Sequence, residues 1–161
     1  MVLEEGKFYF INNDFIHKYG LKYKLMENKE SGNKRPSYFC FFDIKNKNLL
    51  WFVPISSKYE KYKTIYDKAK EKYAEVLGIS FGSVKGKDTV FLIQNMFPCT
   101  EKYIIEKYRN NNEDIKISKS KREEIIAKAR RVIFLSENKN MKLTFTNIVE
   151  LKKELLKEIL N

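Results

Sequence analysis

Two adjacent serines followed by lysines are the residues of this sequence best suited to chemistry on a phosphate. Ser56 and Ser57 follow a short apolar run, and Pro54 within that run removes a backbone donor, so we expect the strand to end near the serines. Backbone N–H groups left free at such a junction bind anions, and serine hydroxyls add further donors. Lys58 and Lys61 would supply positive charge. These residue types predict a phosphate-binding site where the strand ends.

Aromatic residues lie among the same lysines. Tyr59 and Tyr62 could stack on RNA bases beside the bound phosphate. A purely structural interpretation is also available, in which Ser56 or Ser57 is the N-cap of a following helix, the tyrosines pack in the core and the lysines face solvent. The sequence leaves both interpretations open.

A second basic cluster precedes the neighbouring predicted strand. Lys34 and Arg35 stand directly before a run that includes Tyr38. The start of one strand and the end of the next lie at the same end of an antiparallel pair. We therefore expect Lys34 or Arg35 to lie close to the two serines, with Tyr38 as a further candidate for contact with RNA. Ordinary loop charge would give the same pattern.

Hydrophobic periodicity predicts the elements that position these residues. Strands are predicted at residues 7–12, 37–44, 49–55, 79–84 and 89–94, with hairpin turns at KNKN and KGK. Helices are predicted from Asn13 or Asp14 to Tyr19, within 58–77, from Glu101 to Tyr108 with Thr100 as cap, around 121–133, and from Asn147 to Leu160. The polar segment 27–35 is predicted to be a loop. Strands before residue 95 and helices after it indicate one α+β domain, residues 1–161, around a mainly antiparallel sheet.

The charge balance predicts an anionic partner. Thirty-two Lys and Arg against 21 Asp and Glu give a net charge of +11 and a pI near 9.5. Nucleic acid, an acidic protein and an anionic membrane all satisfy this balance. The helix around 121–133 has an apolar stripe with cations on its other faces, and we take these cations as candidates for RNA binding: Lys121, Lys128 and Arg131.

Several classes of protein and site are disfavoured. The N-terminus lacks the basic start and apolar centre of a signal peptide, and no apolar run approaches the length of a membrane span. Cys40 and Cys99 lack metal-ligand spacing, so we expect reduced thiols in a cytoplasmic protein. His17 is the only histidine, which excludes a two-histidine acid–base pair within one chain. No carboxylate cluster suits a metal pair, and we expect neither a metal nor another cofactor.

Four ordered blocks of the sequence resemble a known family. GKFYFINNDFI, KRPSYFCFF, NLLWFVPISSKYEKYK and FLIQNMFPCTEKYI cover most of residues 6–108. Together they resemble the ToxN/AbiQ group of type III toxin–antitoxin endoribonucleases, most closely its CptN-like branch. The resemblance implies a compact, highly curved, mainly antiparallel sheet flanked by helices, similar to the MazF and CcdB core, with a helical C-terminal part.

The same resemblance implies an activity and a partner. Toxins of this group cut cellular RNA without a metal and leave 2′,3′-cyclic phosphate and 5′-hydroxyl ends. Their inhibitor is a repeat RNA folded as a pseudoknot, which the toxin processes and then binds in a closed hetero-oligomer. A role in phage defence and no contact with membranes also follow from the resemblance.

The family's functional residues map onto the two basic segments. Ser57, with Ser56 before it, matches the hydroxyl pair most tied to activity. Arg35 is favoured over Lys34 as the basic residue before the hairpin because it directly precedes the proline.

The lysine that the family has after the serines has two candidates in this chain. Many family members have Ser-Pro-Lys where this chain has Ser57-Lys58-Tyr59. Lys58 or Lys61 could therefore fill the role of the active-site lysine.

A binding module without catalysis is the competing class. A basic α+β domain could hold RNA by phosphate contacts and stacking alone. Only an enzyme would give cyclic-phosphate ends in EDTA, which separates the two classes. A membrane binder is disfavoured because no strongly basic amphipathic helix carries bulky aromatics on one face.

Overall fold

The centre of the fold is an antiparallel sheet. The computed structural model describes residues 1–27 and 35–161. The strands are β1 (Phe8–Ile11), β2 (Pro36–Phe42), β3 (Leu50–Ser56), β4 (Ser80–Val84), β5 (Lys87–Phe91), β6 (Phe97–Cys99) and β7 (Ile104–Lys107). Within the described residues their order is β4-β5-β3-β2-β1-β7, with β6 also on β3. Two-residue strands β8 (Arg109–Asn110) and β9 (Glu113–Asp114) form a separate hairpin.

Strand β3 pairs with three other strands, and this arrangement brings three parts of the chain together at one end of the sheet. One edge of β3 pairs with β2, and the register places Ser37 opposite Pro54. The other edge pairs first with β6 and then, at Ile55 and Ser56, with β5. The start of β2, the end of β3 and the β4–β5 hairpin therefore meet. Register shifts in β1 and β2 add the local bending that bulges cause.

Four helices flank the sheet. They are α1 (Asn13–Tyr23), α2 (Tyr59–Lys70), α3 (Lys119–Lys139) and α4 (Ile148–Leu160). Helices α1 and α4 pack on one face and α3 on the other. None of these helices, which cover the helical parts of the described chain, has the length and apolar character that crossing a bilayer requires.

The continuous aromatic runs of the strands are explained by burial of both sheet faces. Tyr9, Phe39 and Phe52 point to the core under α1 and α4, whereas Tyr38 and Trp51 point to the core under α3. Each of these side chains is at most 1% exposed. Because neighbours in a strand alternate between faces, a strand covered on both sides is apolar throughout. The predicted α+β fold with a mainly antiparallel sheet and a helical C-terminal part is confirmed.

The predicted helix from Glu101 to Tyr108 is wrong. Residues 101–103 form one 3₁₀ turn and Ile104–Lys107 is strand β7, paired with β1. Without this segment β1 would be an exposed edge, and the gain from covering it outweighs the local helical pattern. Thr100 makes no side-chain cap bond.

Smaller corrections concern helix ends. Asn12, rather than Asn13 or Asp14, caps α1, and its side-chain oxygen accepts the Asp14 N–H at 2.9 Å. The helix extends past Tyr19 to Tyr23. Helix α4 begins after Asn147 as predicted, but the Asn147 side chain makes no cap bond.

Candidate functional site

A cavity of about 520 Å³ lies at the end of the sheet where β3 leaves it. Its polar lining comes from the segment before β2, the end of β3, the β4–β5 hairpin and the residues around β8. These polar residues are Arg35, Ser56, Ser57, Lys85, Lys87, Asp88, Thr89, Tyr108 and Asn110. The cavity therefore brings together three cationic side chains, several hydroxyls and one carboxylate.

Arg35 is fixed against the strand that carries the serines. Its Nη1 atom donates to the backbone oxygen of Ile55 at 2.8 Å. The side chain is half-buried, and this burial lowers the pKa of the Arg35 guanidinium, which nevertheless stays charged because arginine starts so high. The hydrogen bond holds a positive charge next to Ser56 and Ser57, as the strand geometry predicts.

The two serines play different structural parts. Ser56 is 7% exposed, and its Oγ accepts the backbone N–H of Lys58 at 3.2 Å, which closes a turn. Helix α2 begins at Tyr59 with Lys58 as its N-cap, so the interpretation of either serine as the helix cap is wrong. Ser57 is exposed, and its hydroxyl makes no hydrogen bond to the described part of the chain. The Ser57 hydroxyl is thus available to a ligand.

The β4–β5 hairpin also lines the cavity. Val84 pairs with Lys87, so Lys85 and Gly86 are the two turn residues, with φ of 55° and 74°. Lys85 Nζ lies 3.1 Å from the hydroxyl of Tyr108 and 5.0 Å from its ring centroid.

The sequence pattern alone does not point to Lys85 and Tyr108 as site residues. The basic KGK turn was a visible signal. The turn can be connected with the serines only if β5 is known to pair with the end of β3. Only the tertiary structure gives that pairing.

Two of the predicted lysines lie beside the cavity and do not line it. Lys58 and Lys61 are exposed at the start of α2, and Lys61 Nζ sits 5.2 Å from the ring centroid of Tyr62. Lys34 lies outside the residues that the structure describes. The lysines that line the cavity are Lys85 and Lys87 instead.

Two of the three predicted stacking tyrosines are buried. Tyr38 is 0% exposed and packs between Phe8 and Phe91, with ring centroids 5.1 and 5.7 Å away. Burial raises the pKa of Tyr38 above its ordinary value. Tyr62 is 7% exposed. A ring without a free face cannot stack on a base, so this burial argues against base stacking by Tyr38 and Tyr62, and an RNA contact by either residue stays a prediction.

Tyr59 keeps part of its surface exposed. Its ring lies 5.0 Å from that of Phe81, and it is half-buried. An RNA contact by Tyr59 stays a prediction.

The three cations of α3 differ in accessibility. Lys128 is buried and donates to the backbone oxygen of Ile79 at 2.9 Å, and burial lowers its pKa, which argues against the predicted RNA contact. Lys121 Nζ lies 3.0 Å from a carboxylate oxygen of Glu124, which offsets its charge. Arg131 is exposed. RNA contacts by Lys121 and Arg131 stay predictions.

Comparison with known proteins identifies the fold. No protein-family model and no curated protein matches this chain. A structure from a bacterial type III toxin–antitoxin system, whose toxin is selectively inhibited by a non-coding RNA pseudoknot, matches at 16% identity with a TM-score of 0.70, covering 96% of this chain and 98% of the other. AbiQ, a lactococcal anti-phage endoribonuclease of a type III toxin–antitoxin system, matches at 15% identity with a TM-score of 0.71 and the same coverage.

A third solved structure extends the comparison. It comes from a bacterial antiviral system regulated by a processed non-coding RNA, and it matches at 16% identity with a TM-score of 0.65 over 91% of this chain and 95% of the other. The chain thus has the fold of these proteins over nearly its whole length. The fold implied by the sequence resemblance is confirmed.

Proposed function

We propose that this chain is the endoribonuclease toxin of a type III toxin–antitoxin system, in the ToxN/AbiQ group. One observation carries the proposal: in a fold shared with the endoribonuclease AbiQ, Arg35 and the free hydroxyl of Ser57 meet in one cavity at the end of the sheet. The four sequence blocks that resemble the group supply independent support.

The proposed reaction is a transesterification within the RNA. The 2′-hydroxyl loses its proton and attacks the adjacent phosphorus, and the bond from phosphorus to the 5′ oxygen breaks. The leaving oxygen takes up a proton, which gives a 2′,3′-cyclic phosphate and a 5′-hydroxyl. The enzyme must therefore hold the phosphate, stabilise its added negative charge and move protons.

The residues at the cavity fit the first two of these tasks. Arg35 presents a planar set of donors to the non-bridging phosphate oxygens, and the Ser57 hydroxyl donates to one of them. Ser56 acts indirectly, since its bond to the Lys58 N–H sets the turn that exposes Ser57. We assign proton transfer to Lys58 or Lys61, whose exposed side chains start beside the serines and are long enough to turn toward them.

The charge of the cavity supports cleavage without a metal. Three cations, Arg35, Lys85 and Lys87, face it together with a single carboxylate, Asp88. A divalent cation needs several oxygen ligands with net negative charge, whereas a phosphate is attracted by this arrangement.

The proposed partners are cellular RNA as substrate and a repeat RNA pseudoknot as antitoxin, bound in a closed hetero-oligomer. The non-coding RNAs of the similar systems and the net charge of +11 support RNA partners. We further propose that residues 1–161 act as one toxin domain in the cytoplasm. Two buried thiols, Cys40 and Cys99, support a reducing compartment.

Cleavage in EDTA tests the proposal. Purified protein should cut single-stranded RNA in EDTA and leave cyclic-phosphate ends, read by mass spectrometry. Ser57→Ala should lower kcat by about 10²–10³, the cost of losing one preorganised donor. Ser120→Ala, the same exchange at an exposed serine of α3, is the control and should match the wild type.

The opposite results would reject the proposal. Bound RNA that is never cut, with or without EDTA, would favour the binding module. Cutting that depends on added Mg²⁺ would reject the metal-independent mechanism, and full activity of Ser57→Ala would reject the site.

A further inference from the structure

We propose that Lys85 binds the phosphate next to the one that is cleaved, so that the β4–β5 turn is a second phosphate subsite of the cavity. This inference rests on the proposed function and adds a positioning residue to it. It follows from the backbone of the turn, from the charge around Lys85 and from the size of the cavity.

The backbone at Lys85 is unusual for a lysine. Its φ of 55° lies in the left-handed region, and the two-residue turn that it forms with Gly86 favours asparagine, aspartate or glycine at this place. A lysine here costs stability in the turn. The same conformation directs its side chain over the cavity, where the ammonium group meets the hydroxyl of Tyr108 at 3.1 Å.

Lys85 forms no ion pair within the described chain, although Asp88 lines the same cavity. Within residues 1–27 and 35–161, no Asp or Glu oxygen lies within 4.0 Å of Lys85 Nζ. By contrast, the cations directly before and after Tyr108 in the sequence are paired. Lys107 pairs with Glu4 and Asp114, and Arg109 pairs with Asp114. Tyr108 lies between the unpaired Lys85 and these paired cations. Positive potential is therefore concentrated on the Lys85 side of Tyr108, and a strand of RNA is drawn there.

The cavity is too large for one phosphate. A water molecule takes about 30 Å³ of liquid, so about 520 Å³ exceeds the volume of a single phosphate group several times over. Arg35 and the serines line the cavity from the start of β2 and the end of β3, and Lys85 lines it from the β4–β5 turn. Donors carried by separate elements suit two successive phosphates of one strand, and Tyr108 holds the Lys85 ammonium in position through its hydroxyl oxygen.

Lys85→Asn is a favourable test because it removes the charge while improving the turn. Asparagine is preferred at this φ, so the urea midpoint should stay level or rise. Two substrates separate the subsites: a dinucleoside monophosphate, which has only the cleaved phosphate, and a tetranucleotide with a single 2′-hydroxyl at the same step, which adds flanking phosphates. The readout is the ratio of kcat/KM for the tetranucleotide to that for the dinucleotide.

In the wild type, this ratio should be well above one. Lys85→Asn should lower it about tenfold, the effect of one charge-assisted contact, mainly through KM. Lys85→Arg, which keeps the charge, should restore most of the ratio. In salt titrations of a 2′-O-methyl tetranucleotide, Lys85→Asn should reduce the log–log slope by about 0.7. Lys47→Asn removes a lysine charge from the β2–β3 turn at the other end of the sheet and should change neither quantity.

Other outcomes would overturn the inference. An unchanged ratio in Lys85→Asn, a wild-type ratio near one, or failure of Lys85→Arg to restore it would remove the second subsite. An equal loss on both substrates would place Lys85 at the cleaved phosphate instead. If the wild type cut single-stranded RNA in EDTA, these results would reject only the subsite; if it left that RNA uncut, the proposed function would fail and the subsite with it.

Discussion

At the scale of single residues, Arg35 combines two roles that usually fall to different side chains. One nitrogen of its guanidinium binds the Ile55 carbonyl, while the side chain also lines the cavity. A planar group with five N–H donors can do both at once, whereas an ammonium group is a single point of charge. The position therefore calls for arginine rather than for any cation.

Replacing Arg35 with lysine tests that requirement. Arg35→Lys keeps the charge but cannot hold the carbonyl and a phosphate in the same geometry, so kcat should fall about tenfold to a hundredfold, the worth of one hydrogen bond to a charged group. Single-turnover cleavage of RNA in EDTA measures this. Arg130→Lys on α3, where the guanidinium lies 4.2 Å over the ring of Phe41, is the matched exchange away from the cavity and should keep wild-type kcat. Wild-type kcat in Arg35→Lys would show that charge alone suffices.

At the scale of elements, one carboxylate holds the C-terminal helix to the rest of the fold. Glu158 on α4 accepts hydrogen bonds from the hydroxyls of Tyr19 on α1 and Tyr103, and it pairs with Lys102. Burial alone would raise the pKa of Glu158, but these bonds outweigh it and hold the pKa at about 2. Helix α4 is thus stabilised near its C-terminus by the charge of Glu158 as well as by burial of Leu151 and Leu155 in the core.

The interactions of Glu158 make the free energy of unfolding depend on pH. Because the folded pKa of Glu158 lies below its ordinary value near 4.5, its contribution is complete above about pH 4.5 and is lost as the pH falls toward 2. Glu158→Gln should lower the free energy of unfolding at pH 7 by about 1–3 kcal/mol and reduce the loss of stability between pH 5 and pH 3. Urea unfolding at several pH values measures both effects.

Glu154→Gln supplies the control on the same helix. Glu154 forms no ion pair within the described chain, so this variant should follow the wild type at every pH. A Glu158→Gln variant with the wild-type pH dependence would show that the carboxylate does not anchor α4.

At the scale of the whole molecule, part of the excess positive charge faces the cavity. Many surface lysines are paired, as in the clusters around Glu158 and Asp114, while Lys85 and Lys87 face the cavity without such partners in the described chain. Binding of RNA in the cavity should therefore release counterions from these contacts.

The salt dependence of binding follows from that distribution. If Arg35, Lys85 and Lys87 each meet one phosphate, a short single-stranded 2′-O-methyl RNA should bind with a log–log salt slope of about −2, three times the −0.7 expected per phosphate. Fluorescence anisotropy at several KCl concentrations measures the slope, and an oligonucleotide with uncharged methylphosphonate linkages should give almost none. A flat response with the charged RNA would contradict cavity binding.

Much of the fold could be predicted from the sequence because the signals involved are local. Short aromatic and β-branched runs bounded by turn residues identify β1 to β5, and the 3.6-residue period identifies the four helices. The antiparallel hairpin of β2 and β3 then determines that Arg35 and Ser56 lie at one end of the sheet. This conclusion needs only the antiparallel direction of the two strands, and the structure agrees with it.

The remaining features were decided by contacts between residues far apart in the sequence. Ile104–Lys107 is a strand because β1 needs a partner, and Tyr38 is buried because α3 covers its face of the sheet. Lys85 reaches the cavity only because β5 pairs with the last residues of β3. Local patterns determine most of the elements and which of their residues are apolar, but the choice of neighbour depends on burial and edge pairing summed over the whole chain, and this choice brought the β4–β5 turn to the site.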